Sequence, residues 1–222
     1  APISPLVYGT NTPLEGVTAV TAERLGGGRL TSYNWENNAS YGGKLEGDRN
    51  DDKLTSRSGV PSDDPRASQP AFVMSSFLER TRAEGAYPLI TLPMAGFVAA
   101  DKAGPVADGE VAPSTRWAQC LARKGAPFSA VPDLGDGRVY TDELVNLLTT
   151  ASAGAEAGVE PLRGFALDNE PELWADLFQR LHPERTSCAE IIRRSAELAT
   201  AVKDADPHAQ IFGPASYGWL AY

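Results

Sequence analysis

The stretch RGFALDNEP, residues 163–171, decides the fold, because in it an apolar run ends abruptly on polar and charged residues. Residues 165–167 have the character of a short buried strand. Asp168, Asn169 and Glu170 then follow before a proline. A carboxylate at the exit of a buried strand is costly unless it is paired or used in chemistry. We interpret Glu170 as the carboxylate that is used.

Four other short apolar runs share this form. They are LVYGTN (6–11), TAVTAERLGG (18–27), AYPLITLPMAG (86–96) and AQIFGPASYG (209–218). These runs are short, end near glycine, proline or asparagine, and lack hairpin turns, as buried parallel strands do. Together with residues 162–171 they predict five parallel strands, of which the strand before Glu170 is the fourth.

Segments with helical periodicity lie between these runs. They are QPAFVMSSFLERTRAEGA (69–86), TDELVNLLTTASAGAEAG (141–158) and SCAEIIRRSAELATAVKDADP (187–207). Thr141 is the expected N-cap of the second helix, and Ser187 with Glu190 forms a capping box at the third. The alternation of strand and helix predicts an α/β fold with a parallel sheet.

Composition excludes several classes of protein. The chain has 222 residues, a net charge of -9 and 42% hydrophobic residues, so it can form a core but offers no basic face for nucleic acid. It contains no apolar run of the roughly 20 residues that span a bilayer. The beginning, APISPLVYGT, is typical of a mature chain after processing, and we expect a secreted protein. Cys120 and Cys188 allow one disulfide at most.

Residues 31–68 are rich in Asn, Gly, Asp and Ser and show no apolar period. A connection of this length in a compact domain is usually functional or disordered.

The residues after the fourth strand suit glycosidic bond cleavage. That reaction needs a carboxylic acid to protonate the leaving oxygen and a second carboxylate as nucleophile or base. A half-buried Glu170 can hold a proton near neutral pH, and Asn169 can bind a sugar hydroxyl beside the reacting carbon. The alternative is a helix-capping cluster, with Asp168 or Asn169 as the cap and Glu170 and Glu172 next to the helix N-terminus.

The chain resembles glycoside hydrolase family 44, the endoglucanases and xyloglucanases. The resemblance is carried, in family order, by ISPLVYGTN (3–11), RLGGGRLTSYNWENNAS (24–40), LITLPMAGFVAAD (89–101), APSTRWAQ (112–119), APFSAVPDLGDGRVYTDELV (126–145), GFALDNEPELW (164–174) and IFGPASYGWLAY (211–222). The resemblance implies a (β/α)8 TIM barrel with an accompanying β-sandwich, to which an N-terminal strand region can contribute. It also implies retaining hydrolysis of β-1,4-glucans, with Glu170 as general acid/base.

Two departures from the family pattern stand out. Gly28 occupies a position where the family usually carries Asn. The nucleophile of the family lies on a later strand, so no residue of this chain takes that role. We therefore expect residues 1–222 to be the N-terminal portion of a catalytic domain, comprising about five of its βα units. The remainder of that domain is then the expected partner, and the isolated chain is expected to be unstable and inactive.

Glycan sites combine aromatic faces with planar polar groups. The segment SYNWENN (32–38) follows the second strand, and in it Asn34, Trp35 and Asn38 are candidate substrate-binding residues, as is Tyr217 further along. We expect Trp35 to be a stacking platform because its neighbours are polar. Trp117, Trp174 and Trp219 are more typical of a core. His182 and His208 are expected to be solvated.

Four carboxylates are candidate metal ligands: Glu36, Asp101, Asp133 and Asp136. The segment DLGDG (133–137) places hard oxygen donors on a tight turn, as calcium prefers. The alternative is an acidic turn that is hydrogen-bonded to its own backbone. The resemblance implies a structural calcium, while the chemistry itself requires no cofactor.

Three functions follow from these observations. The first is a secreted endo-β-1,4-glucanase whose partner is a β-glucan, with no nucleic-acid or membrane partner. The second is a catalytically incomplete fragment that binds glucan without cleaving it. The third is a scaffold without enzymatic function, in which the DNEP stretch survives only as a helix cap.

Overall fold

The computed structural model describes residues 3–4, 7–11, 20–58, 61, 64–152 and 164–218. The strands are β1 (Gly9–Thr10), β2 (Ala22–Leu25), β3 (Ser40–Tyr41), β4 (Arg49–Asp51), β5 (Tyr87–Leu92), β6 (Phe97–Ala99), β7 (Gly104–Pro105), β8 (Trp117–Leu121), β9 (Arg138–Tyr140), β10 (Gly164–Leu167) and β11 (Gln210–Phe212). The α-helices are α1 (Lys53–Ser56), α2 (Phe72–Ala83), α3 (Thr141–Ser152), α4 (Trp174–Leu177) and α5 (Cys188–Ala205). Short 3-10 turns occupy Gly28–Ser32, Lys44–Glu46, Pro65–Ser68 and Pro171–Leu173.

The five predicted strands form one parallel sheet in the order β1-β2-β5-β10-β11. Phe165 of β10 pairs with Ile90 of β5 on one side and with Ile211 of β11 on the other. All four residues of β10 are buried, and Phe165 has 0% exposure. The prediction of five parallel strands, taken in chain order, is confirmed.

The sheet is open among the described residues. β1 and β11 each have one neighbouring strand in it, and Phe212 at the β11 edge is 40% exposed. The parallel sheet and the helices between its strands confirm the α/β class. Because the sheet is open, it does not establish a closed (β/α)8 barrel.

The helices match the periodic segments with shorter bounds. α2 covers residues 72–83 of the predicted 69–86, and α5 covers 188–205 of the predicted 187–207. α3 ends at residue 152, and residues 153–158 of its predicted range lie outside the described residues. Thr141, expected as the cap of α3, is its first helical residue. None of the helices that the structure describes is both long and apolar enough to span a membrane.

Two long excursions leave the carboxyl ends of β2 and β5 and form the rim above the sheet. The first contains residues 31–68, and its described part is folded rather than an irregular loop: β3 and β4 form an antiparallel sheet with β7. Tyr33, Trp35 and Tyr41 of this excursion are at most 1% exposed. The second excursion builds a three-stranded sheet from β6, β8 and β9. The polar composition of residues 31–68 therefore did not predict this second packed layer.

Both cysteines are free thiols, so the permitted disulfide is absent. Cys120 is partly buried and lies 3.7 Å from the Thr141 hydroxyl, whereas Cys188 is exposed at the start of α5. Burial raises the pKa of the Cys120 thiol to about 12, which leaves it protonated and unreactive at neutral pH.

The capping box of α5 is confirmed in one half. The Ser187 hydroxyl accepts a hydrogen bond of 3.1 Å from the Glu190 backbone N–H. The Glu190 carboxylate does not return to Ser187; it accepts 2.8 Å from Arg194 and lies 3.1 Å from His182. His182, expected to be solvated, is 8% exposed and bonds the Glu184 carbonyl at 2.8 Å.

Replacing Ser187 by Ala should fray the first turn of α5. Loss of an N-cap acceptor costs about 1 kcal/mol, which corresponds to a roughly fivefold rise in amide exchange. Hydrogen exchange of the amides of residues 189–191 measures this rise. Ser187→Asp retains an acceptor and should keep exchange near the wild-type rate, and equal exchange in Ser187→Ala and wild type would contradict the capping role.

Candidate active site

The candidate site begins with a left-handed turn at the end of β10. Asp168 has φ 70° and Glu170 has φ 47°, so the backbone departs from the strand at once. Asn169 between them forms a parallel bridge with Ala215, and the Glu170 N–H donates to the Ala215 carbonyl at 2.6 Å. Glu170 is therefore held between the carboxyl end of β10 and the segment that follows β11.

Asp168 is fully buried beneath this turn. Its carboxylate accepts hydrogen bonds from the Thr31 hydroxyl at 2.5 Å, from the Asn169 N–H at 2.7 Å and from the Met94 N–H. Burial raises the pKa of Asp168 to about 6, and these hydrogen bonds oppose the rise. Buried carboxylates need such donors, because an unpaired charge inside a protein is strongly unfavourable.

Asn169 connects Glu170 to Arg24 of β2. The Asn169 Oδ1 accepts 2.9 Å from an Arg24 Nη, and its Nδ2 donates 3.0 Å to Glu170 Oε2. Burial lowers the pKa of Arg24, while the charges of Glu170 and Asp168 raise it. Arg24 thus supplies a positive charge near the Glu170 carboxylate, and the Asn169 amide orients that carboxylate.

Glu170 lines a pocket of about 160 Å³ at the carboxyl end of the sheet. The other lining residues are Gly28, Arg29, Gly42, Leu45, Glu46, Leu177 and Phe178. Glu170 is at the N-cap position of the 3-10 turn Pro171–Leu173, yet its side chain makes no capping hydrogen bond. Glu172 accepts 2.6 Å from the Ser216 hydroxyl. The side-chain contacts therefore favour the pocket over the capping cluster as the environment of Glu170.

Phe178 contributes an apolar side chain to this pocket and lies close against Gly28. A Cβ atom at Gly28 would lie 2.5 Å from Phe178 Cζ, and one at Gly43 would lie 3.1 Å from Cε1 of the same ring. The ring also packs edge-on against Tyr41, with centroids 6.0 Å apart. Glycine at position 28 leaves the space that this ring occupies.

Arg29 anchors another part of the pocket lining. Its guanidinium donates 2.8 Å to Glu46 and 2.6 Å to Asp51, and it is also within 2.8 Å of the Ser40 hydroxyl. Only 5% of its side chain is exposed. Because its donors are engaged by the rim, Arg29 holds the Lys44–Glu46 turn against the pocket.

Three of the predicted substrate-binding residues have structural roles instead. Trp35 is 1% exposed and donates 3.2 Å to the Tyr140 carbonyl, so it offers no stacking face. Asn34 donates to the Ala99 carbonyl, and Asn38 donates to the Gln69 carbonyl. The polar neighbours of Trp35 bond backbone groups inside the packed rim, which is why their polarity did not indicate exposure.

The remaining aromatic predictions have mixed outcomes. Tyr217 is 57% exposed and is available for contact. Trp117 and Trp174 are buried, as their core interpretation predicted. Trp219 lies outside the described residues.

The four predicted metal ligands are not gathered in one place. Asp101 pairs with Arg116 at 2.7 Å. Asp133 and Asp136 accept hydrogen bonds from backbone N–H groups of their own turn, at 3.0 Å from Gly135 and 2.8 Å from Arg138. No cluster of three or more His, Cys, Asp or Glu side chains suited to a metal ion occurs in the described part of the chain.

Glu36 nevertheless retains a feature that a cation would satisfy. It is 5% exposed, and burial raises its pKa to about 8, with the charges of Asp136, Glu143 and Asp133 adding to the rise. Lys124 partly offsets these charges. Carboxylate oxygens are the donors that Ca²⁺ prefers, but Glu36, Asp133 and Asp136 do not form a metal-binding cluster in the described residues, and Asp101 is already paired.

Sequence reasoning missed Asp168, Thr31, Arg24 and Phe178 as site residues. Asp168 and Arg24 had a detectable signal, since each is charged and lies at the end of, or within, an apolar strand. Thr31 and Phe178 had none, because their roles depend on contacts between segments that are distant in the chain.

Comparison with known proteins agrees with the family resemblance. The model of the family described as glycoside hydrolase family 44 matches residues 55–222. The chain is 47% identical over 222 residues to endoglucanase A of Paenibacillus lautus, covering 100% of this chain and 31% of that protein. It is 46% identical to a beta-mannanase/endoglucanase A of Caldicellulosiruptor saccharolyticus, over 99% of this chain and 16% of that protein.

A solved structure is also similar. The xyloglucanase of Paenibacillus polymyxa from the same family superposes with a TM-score of 0.94 at 44% identity. The match covers 100% of this chain and 43% of that chain. The present chain therefore spans less than half the length of each of these three relatives.

The buried Asp168 should make folding stability depend on pH. Its pKa is about 6 in the folded chain against 3.8 for an ordinary aspartate, so the folded state holds this proton more tightly. The stabilising contribution is complete below pH 3.8 and is lost as pH rises through 6, by about 3 kcal/mol in all. Urea unfolding at a series of pH values should show this fall in wild type and a flatter profile in Asp168→Asn. Parallel profiles of the two proteins would refute it.

Proposed function

The chain belongs to glycoside hydrolase family 44, and on that premise we propose that the protein to which it contributes is an endo-β-1,4-glucanase. Cellulose-type and xyloglucan-type chains are the proposed substrates, since the similar proteins are named endoglucanase and xyloglucanase. The observation that carries the proposal is the Glu170 carboxylate, which lines a pocket at the carboxyl ends of parallel strands and is oriented by Asn169.

Glu170 is the proposed general acid/base. In the first step its proton passes to the glycosidic oxygen as the bond to the leaving sugar breaks. A second carboxylate attacks the anomeric carbon from the other side and forms a glycosyl-enzyme, which requires a separation of about 5–5.5 Å between the two carboxyl groups. In the second step Glu170 takes a proton from the water that releases the sugar.

The neighbours of Glu170 position its carboxylate. The Asn169 amide donates to Glu170 Oε2 at 3.0 Å, and Asn169 is in turn held by Arg24 of β2 at 2.9 Å. The apolar ring of Phe178 lines the same pocket. These residues therefore orient the proposed acid.

We propose that the nucleophile lies on a later strand of the complete domain. In this proposal residues 1–222 supply the first five βα units of a (β/α)8 barrel, the remaining strands close the sheet, and a β-sandwich accompanies the barrel. The open edge at β11 is compatible with the addition of a further strand. Secretion is part of the same proposal, because the polysaccharide substrates are extracellular polymers.

Glu170→Gln tests the acid/base assignment. In the full-length protein, kcat on carboxymethylcellulose should fall by at least about 10²-fold, because a general acid contributes 10²–10⁴-fold. Glucan binding, measured by affinity electrophoresis, should stay within about twofold because the amide keeps the shape of the side chain.

Glu172→Gln is the matched control, two residues away and engaged with Ser216. It should retain nearly full turnover. Full activity in Glu170→Gln would end the assignment.

We also propose a structural Ca²⁺ beside Glu36, near the charges of Asp133 and Asp136. A cation there would neutralise the buried carboxyl group and the charges around it. Addition of Ca²⁺ to chelator-treated protein should raise the melting temperature by several degrees, as measured by calorimetry.

The Ca²⁺-dependent shift should disappear in Glu36→Gln. It should persist in Asp101→Asn, because Asp101 pairs with Arg116. A melting temperature that does not respond to Ca²⁺ would remove the proposal.

A further inference from the structure

We propose that Asp168 is a positioning residue for Glu170, and that the hydrogen bond it receives from Thr31 sets the placement of the acid/base carboxylate. The inference rests on the proposed role of Glu170 and deepens it. It assigns a task in the reaction to two residues that do not line the pocket.

Glu170 needs to be held, because its backbone is in an unfavourable conformation. A φ of 47° is in the left-handed region, which a glutamate rarely adopts. Asp168, two residues earlier, is also left-handed with φ 70°. Such residues persist only where the surrounding structure over-determines them, and they concentrate at functional sites.

The carboxylate of Asp168 provides that restraint by connecting three strand ends. Thr31 lies in the turn after β2 and donates to Oδ1 at 2.5 Å. Met94 follows β5 and donates its backbone N–H to Oδ2. The Asn169 N–H donates to Oδ1 at 2.7 Å, within the β10 turn itself. Hydrogen bonds to an ionised acceptor are stronger than those between neutral groups, and the burial of Asp168 shields them from water.

The restraint reaches Glu170 through Asn169. The Asn169 backbone is fixed by Asp168, and its side-chain amide then donates 3.0 Å to Glu170 Oε2. A general acid must lie within hydrogen-bond reach of the atom it protonates, and a displacement of about 1 Å can cost roughly 10²-fold in rate. Loosening Asp168 should therefore lower kcat.

Substrate binding should be less affected. Neither Asp168 nor Thr31 lines the pocket that contains Glu170, so the walls that contact a sugar stay in place. A purely structural role would instead reduce the folded fraction and leave the kcat of the folded molecules unchanged. Measuring kcat and KM separately on folded protein therefore distinguishes a positioning role from a purely structural one.

The decisive pair of variants is Thr31→Val and Thr31→Ser in the full-length protein. Valine matches the shape of threonine and removes the donor, whereas serine retains the donor. We expect Thr31→Val to lower kcat on a soluble β-glucan about tenfold with KM within about twofold, as a lost hydrogen bond to a charged group predicts. Thr31→Ser should stay within about twofold of wild type in both parameters.

Asp168→Asn provides a second measurement. Every group that faces this carboxylate is a donor, so the amide NH₂ must oppose one of them. Its kcat should fall further than that of Thr31→Val, by about 10²-fold. Near-ultraviolet circular dichroism and the folded fraction are measured for each variant, and kcat is expressed per folded molecule.

The outcomes separate the inference from the proposed function. Wild-type kcat per folded molecule in both Thr31→Val and Asp168→Asn overturns the positioning role, and so does a loss that lies entirely in KM. Glu170→Gln is assayed alongside them. If Glu170→Gln is fully active, the acid/base assignment and this inference both fail; if it is inactive while Thr31→Val and Asp168→Asn are fully active, only the positioning role fails.

Discussion

The buried carboxylate of Asp168 is the constraint on which the site depends. A charge with no exposure to water has to be hydrogen-bonded, and the donors that satisfy it come from the ends of β2, β5 and β10. The same contacts impose the left-handed turn from which Asn169 and Glu170 project, so the stability of the sheet edge and the geometry of the candidate acid have a common origin.

The rim illustrates how a polar sequence can still form a packed layer. Residues 31–68 contain few apolar side chains at regular spacing, yet Tyr33, Trp35 and Tyr41 are buried there. Asn34 and Asn38 donate to backbone carbonyls, and Arg29 pairs with the Asp51 carboxylate. The rim in turn supplies Gly28, Arg29 and Glu46 to the lining of the pocket that contains Glu170. The layer thus has a core of aromatic rings and a polar network that shapes the pocket.

Much of the sheet could be predicted from sequence, because buried parallel strands are short apolar runs that end near glycine, proline or asparagine. The strand before Glu170 and the helix after Ser187 are examples of such local signals. The pocket could be predicted only in part. Trp35 was placed wrongly, since its neighbours in the chain do not show what packs on it, and Thr31 was missed because its partner Asp168 lies 137 residues away.

The seat of Phe178 over Gly28 couples two positions that are 150 residues apart in the printed sequence. A side chain at residue 28 would require the Phe178 ring to shift, and a smaller residue at 178 alone would leave a gap beside Glu170. The effect of a substitution at either position is therefore expected to depend on the residue at the other. A segment exchange that places a larger residue at position 28 should accordingly include the segment around residue 178.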